Sequence, residues 1–185
     1  MASTQTTRYN TVAIILHWLT ALIMFYMLVF GEDLIRRPRT TPLASDDWGP
    51  NTHASWGLVI LLLTVLRIVW RLTHETPAHP ATMKPWEIKL SAITHGLLYL
   101  LMLGIPVLGL FAFANYAPEH ANADATFFKL FSVNFMPNLG GWTESAHAIS
   151  TKLAWALIAL HVLAALKHQF VDKDNLMARM RPGRG

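Results

Sequence analysis

Four stretches of this chain stay apolar for about twenty residues each. They are "TVAIILHWLTALIMFYMLVF" at 11–30, "HASWGLVILLLTVLRIVWRL" at 53–72, "SAITHGLLYLLMLGIPVLGLFAFA" at 91–114, and a fourth run at about 147–170. At a 1.5 Å rise per residue each spans about 30 Å, the thickness of a hydrocarbon core. The pattern predicts an all-α membrane protein, a bundle of four transmembrane helices in one domain over residues 1–185. The first run is too long for a signal-peptide core and lacks a small-residue cleavage site, so it reads as a retained span. Pro106 predicts a kink in the third. The polar segments between the runs are "GEDLIRRPRT", the Pro-rich "THETPAHPATMKP", and a loop over about 115–146. That last loop contains "FFKLFSVNFMPNLGGW", aromatic enough to lie against the membrane interface or to cap the bundle.

Composition agrees with this picture and removes several chemistries. Charged residues make up 14% and hydrophobic residues 53%, against about 25% charged in typical soluble domains. Cysteine is absent, which excludes disulfides, thiolate metal sites, iron–sulfur clusters and thioether-linked haem. The formal charge of +4 comes from Lys and Arg grouped in a few loops, a mark of membrane topology rather than of nucleic-acid binding. With the N-terminus inside, ten of the fifteen basic residues fall on the cytoplasmic side: Arg8, Arg67, Arg71, Lys84, Lys89, Lys167, Lys173, Arg179, Arg181 and Arg184. Arg36, Arg37, Arg39, Lys129 and Lys152 fall outside. The positive-inside rule therefore puts both termini in the cytoplasm.

The histidines carry the candidate chemistry. His147 and His161 are fourteen positions apart; on a helix that returns to within about 40° of the same face and climbs about 21 Å. His53 opens the second span at the outer level of His147. His17 lies thirteen residues before the outer end of the first span, about 20 Å down and level with His161. Two pairs at two depths sharing the fourth span suit two stacked haems, each held by two imidazoles and by packing. Gly57, one turn from His53, and Ala13, Ala21, Ala154 and Ala164 keep neighbouring positions small. Arg67, fourteen residues beyond His53, and Arg71, one turn later, either pair with an inner-haem propionate or snorkel to the inner surface. His95 and His168 flank the inner level, where a quinone headgroup would need hydrogen-bond partners and a proton route, or where they bond propionate, lipid or water. His74, His79 and His120 fall in loops.

These residues resemble the bacterial cytochrome b561 family, small four-helix dihaem proteins of the inner membrane that include the superoxide oxidases. The resemblance runs through essentially the whole chain. It rests on "LHW" at 16–18, "HASWGLVILLLTVLRIVWRL" at 53–72, "HGLLYLLMLGIPVLGL" at 95–110, "AHAISTKLAWALIALHVLAALKH" at 146–168 and the tail "KDNLMARMRP". It implies one haem b between His17 and His161, a second between His53 and His147, electron exchange with ubiquinone, and, for the superoxide oxidases, oxidation of superoxide at the outer face.

The leading expectation is a superoxide oxidase that passes electrons from superoxide through two haems to ubiquinone. Bis-histidine iron has no open position, so the reaction is expected at a haem edge, with Lys129 and Lys152 as candidate catalytic cations and Arg36, Arg37 and Arg39 beside them. Glu32, Asp33, Asp46 and Asp47 share the first outer loop and oppose them. The alternative is an electron-transfer subunit joining the quinone pool to a partner dehydrogenase or periplasmic redox protein. A haem-free transporter or anchor does not account for the paired depths. Lipid is the surrounding partner in every case.

Overall fold

The computed structural model describes residues 8–36, 49–116, 126–128, 130–133 and 135–183. Within them are four long helices: α1 (Thr11–Arg36), α2 (Gly49–Thr73), α3 (Pro85–Tyr116) and α4 (Trp142–Lys167). All four are long and apolar enough to cross a membrane. The first three expected spans lie inside α1, α2 and α3, while the fourth, about 147–170, runs through α4 and ends in the π-turn (His168–Asp172) that follows it. α3 continues through Pro106 as a single helix.

Neighbours in sequence are neighbours in space: α1 packs on α2, α2 on α3 and α3 on α4. Ring contacts between Phe25 and Trp155 and between His17 and His161 bring α1 to α4 and close the bundle. The buried centre is small: Met24, Ile60, Met102, Ile105 and Ala154. Its register is informative. Met24 is seven residues from His17, Ile60 seven from His53, and Ala154 seven from both His147 and His161. The core is thus one layer about 10 Å from either histidine level. Ala154 has no exposed surface, so the helices meet closely there.

Most other large apolar side chains point outward, Leu22, Leu62, Leu100 and Leu163 among them. In water this would be untenable; in a bilayer those faces meet lipid, and close packing of small residues replaces the hydrophobic drive between helices. The buried hydroxyls satisfy themselves locally. Thr20 donates to Leu16 O at 2.6 Å and Thr64 to Ile60 O at 2.7 Å, as hydroxyls in a dry environment must.

At the end expected to face outward, called the outer end below, a short antiparallel hairpin, β1 (Thr126–Phe127) and β2 (Phe131–Ser132), sits on the start of α2. Ser55 holds it from beneath, donating to Thr126 O at 3.1 Å and accepting from Phe128 N at 2.8 Å. The aromatic loop therefore caps the bundle, while Leu130, Phe131 and Phe135 remain exposed.

At the opposite end α4 passes into a π-turn (His168–Asp172) and a short 3-10 helix (Leu176–Met180). This tail crosses the bundle end. Trp18 Nε1 donates to Met180 O at 2.7 Å, Arg179 donates to Ala78 O, and Arg8 donates to the carbonyls of Arg181 and Gly183. The described ends of the chain therefore lie at the same end of the bundle.

Candidate functional site

Two histidine pairs form on opposite sides of the core layer. At the outer level His53 of α2 faces His147 of α4, with ring centres 6.0 Å apart. Each ring is fixed by a helix it does not belong to. His53 Nδ1 lies 3.0 Å from the carbonyl of Gly31 on α1, and His147 Nδ1 lies 2.9 Å from the carbonyl of Ile105 on α3. A carbonyl only accepts, so both Nδ1 atoms carry hydrogen and both Nε2 atoms are left with a lone pair. Glycines make this approach possible. A Cβ on Gly31 would stand 3.1 Å from His53 Cε1, and one on Gly109 3.1 Å from His147 Cε1.

Beside this pair is a cavity of about 290 Å³ lined by both rings and by Met24, Gly57, Pro106 and Phe113. It lies at the lower end of small-molecule sites, roughly 300–1,000 Å³, and its walls are almost wholly apolar. Among the described residues that line it, the charged one is an acid, Glu144, which is exposed.

At the inner level His17 of α1 faces His161 of α4, with ring centres 6.3 Å apart. The surroundings differ. Arg67 of α2 brings Nη2 to 3.2 Å from His17 Nδ1, where an outer-level ring has a carbonyl. Guanidinium only donates, so here Nδ1 is the acceptor and the ring hydrogen sits on Nε2. Arg67 also lies over the Tyr99 ring, 5.4 Å from its centre. His95 of α3 packs edge-on against His161 with centres 5.2 Å apart, and the Ser91 hydroxyl is 3.4 Å from its Nδ1. The inner level thus gathers three imidazoles and a guanidinium.

The remaining expected residues separate. Arg71 is exposed one turn beyond Arg67. His168 is buried, with Nδ1 2.7 Å from Asp174 Oδ2 and 3.0 Å from Asp172 Oδ2. Lys167 beside it bridges Glu87 at 2.7 Å and Asp172 at 2.6 Å. Glu87, His168 and Asp172 could together face a cation, but the Lys167 ammonium already joins the two acids. Lys152 is exposed on α4, while the α4 residues that line the outer cavity are Glu144, His147 and Thr151. Lys129, Arg37, Arg39, Asp46, Asp47, His120, Arg184 and the side chain of Arg36 lie outside the described residues.

The model of the prokaryotic cytochrome b561 family matches residues 8–183. The chain belongs to that family. It is 30% identical over 181 residues to cytochrome b561 homolog 2 of Escherichia coli K12, covering 94% of this chain and 90% of the relative. It is 30% identical over 184 residues to cytochrome b562 of Cereibacter sphaeroides, covering 96% and 97%. It is also 28% identical over 187 residues to a protein of Yersinia pestis named probable superoxide oxidase CybB, covering 95% and 96%. This is an electron-transfer family that binds haem b.

The residues present can be tested against that cofactor. A metal–imidazole bond is about 2 Å, so two rings that ligate one iron from opposite sides through Nε2 have centres roughly 6 Å apart; the pairs here stand at 6.0 and 6.3 Å. At the outer level the tautomers also fit, since both Nε2 atoms are free to donate a lone pair. At the inner level the spacing fits, and ligation through Nε2 of His17 requires Arg67 to release Nδ1. Gly31, Gly109, Ile105, Tyr99, Glu144 and Asp174 were not legible as site residues. For the two glycines a signal existed: each interrupts or ends an apolar helical run, where glycine costs stability unless a neighbour comes close.

Proposed function

We propose that the chain holds two haem b groups, one between His53 and His147 and one between His17 and His161, and carries electrons between superoxide at the outer face and ubiquinone near the inner level. The observation that carries this reading is the doubled geometry, two imidazole pairs at ligand spacing about 21 Å apart along α4. The likeness to a protein named probable superoxide oxidase supports the choice of donor. Four spans with ten basic residues on one side support an inner-membrane protein with both termini cytoplasmic.

Haem, when bound, supplies reversible one-electron chemistry. The chain's own residues do the rest. The carbonyls of Gly31 and Ile105 hold the His53 and His147 rings in one tautomer and orientation, which raises their basicity as ligands. The apolar core around Met24, Ile60 and Ala154 excludes water between the two levels. Arg67, released from His17, is placed to pair with an anionic group at the inner level. His95 and His168 supply the polar groups for a quinone headgroup. At the outer face an anionic donor gains from Lys152, Lys129 and the Arg36–Arg37–Arg39 cluster and is opposed by Glu144.

Stopped-flow mixing of the purified haem-loaded protein with superoxide, with and without a soluble quinone, tests the reading. Rapid haem reduction followed by quinone-dependent reoxidation is expected. Quinone reactivity without any reaction with superoxide would make the protein an electron-transfer subunit serving a partner dehydrogenase or periplasmic redox protein.

A further inference from the structure

The tail after α4 contains an arrangement that haem binding does not use. Asp174 is flanked by Lys173 and Asn175, each at φ 56°. Non-glycine residues in this left-handed region are uncommon and persist where the surroundings hold them. Two of them bracketing one residue turn that residue inward. The Asp174 side chain is only 2% exposed. Its Oδ2 is 2.7 Å from His168 Nδ1 and accepts from the Thr82 hydroxyl at 3.4 Å, and its Oδ1 accepts from Leu176 N at 3.1 Å. Asp172 also reaches His168 Nδ1, at 3.0 Å, but it shares its carboxylate with Lys167, which is itself tied to Glu87 of α3. Asp174 is the acid committed to the imidazole.

A carboxylate can only accept, so His168 keeps its hydrogen on Nδ1 and exchanges protons through Nε2 alone. His168 is seven residues past His161 on the same helix face, about 10 Å nearer the inner end. A buried imidazole whose Nδ1 is locked by a carboxylate is left with Nε2 as its one proton-exchanging atom, the arrangement of a directed proton donor.

We propose that Asp174 is the positioning residue that holds His168 as proton donor to the quinone, an inference that rests on the quinone reading above. Reduction of a quinone to the quinol takes two electrons and two protons; two superoxide anions supply the electrons and leave as two molecules of dioxygen. His168 takes each proton at Nε2 from the inner aqueous side and passes it to a quinone oxygen, keeping its Nδ1 hydrogen throughout. Asp174 and Asp172 balance the transient imidazolium.

The test uses the full-length haem-loaded protein and a short-chain ubiquinone, comparing Asp174→Asn, Asp174→Glu, His168→Ala and the Asp174→Asn/His168→Ala double variant. Asp174→Asn is expected to lower the maximal rate of quinone-dependent haem reoxidation by roughly tenfold or more. The half-saturating quinone concentration, haem content, haem spectra and reduction by superoxide stay unchanged, and the solvent deuterium isotope effect grows. Asp174→Glu recovers part of the rate, and the double variant is no slower than His168→Ala. Nitrogen-15 NMR of labelled histidine shows the His168 hydrogen fixed on Nδ1, and distributed over both nitrogens in Asp174→Asn. A slow His168→Ala beside a normal Asp174→Asn overturns the positioning role alone. A normal His168→Ala overturns the quinone reading and the proton role with it. Lost haem or altered spectra in Asp174→Asn would make the residue structural and overturn the proposal.

Discussion

The outer and inner histidine pairs have nearly the same ring spacing, 6.0 and 6.3 Å, yet they are built differently. At the outer pair each Nδ1 meets a backbone carbonyl and each ring rests against a glycine. Backbone atoms of packed helices move little, so tautomer and orientation are fixed in advance. At the inner pair the corresponding partner of His17 is the side chain of Arg67, and His161 has an imidazole, His95, packed on its edge. Side chains swing, and these can make other bonds. Spacing alone thus does not define a ligand pair; what holds the far nitrogen decides how rigid it is. The outer level is a fixed mount and the inner level an adjustable one beside the proposed quinone.

The largest test of that contrast is removal of the rings themselves. His53→Ala and His147→Ala should each abolish the same haem signal, and His17→Ala and His161→Ala the other, leaving one haem per chain by pyridine haemochrome. If loss of His161 spared the inner signal while loss of His95 removed it, the inner pair would be wrongly drawn. Next in size, Arg67→Ala should weaken inner-haem retention by roughly 10- to 100-fold and leave the outer spectrum alone, as read by haem transfer to a scavenger protein. An equal effect on both haems would erase the distinction between the levels.

The fold was nearly complete in the sequence because twenty-residue apolar runs have few interpretations, and fourteen-residue spacing fixes both face and depth. The carbonyl of Ile105 and the carboxylate of Asp174 were not readable. A backbone acceptor has no residue type to announce it, and Asp174 faces inward only because Lys173 and Asn175 adopt left-handed backbone. Glu144 was not singled out because nothing in its spacing shows that this turn of α4 lines a cavity.

Smaller effects probe the outer mount. Gly31→Ala or Gly109→Ala places a methyl 3.1 Å from a ring carbon, and the overpacking should cost about 1 kcal/mol. The outer haem should shift in potential and spectrum in a redox titration while the inner does not. Unchanged outer behaviour would show that the rings have slack. Smallest is the charge at the cavity. At about 8 Å in water one unit charge contributes about 0.5 kcal/mol, so Glu144→Gln should raise the superoxide rate about twofold at low ionic strength, a gain that fades in high salt. A slower reaction would mean the carboxylate helps rather than opposes the donor.

Two imidazole pairs at two levels are proposed to hold one haem each. Haem-to-protein stoichiometry in the purified wild-type chain, by pyridine haemochrome against quantitative amino-acid analysis, tests it most directly. Two non-covalent b haems per chain are expected, both low-spin in the absorption spectrum. One haem per chain, or a high-spin five-coordinate component at either level, would contradict it.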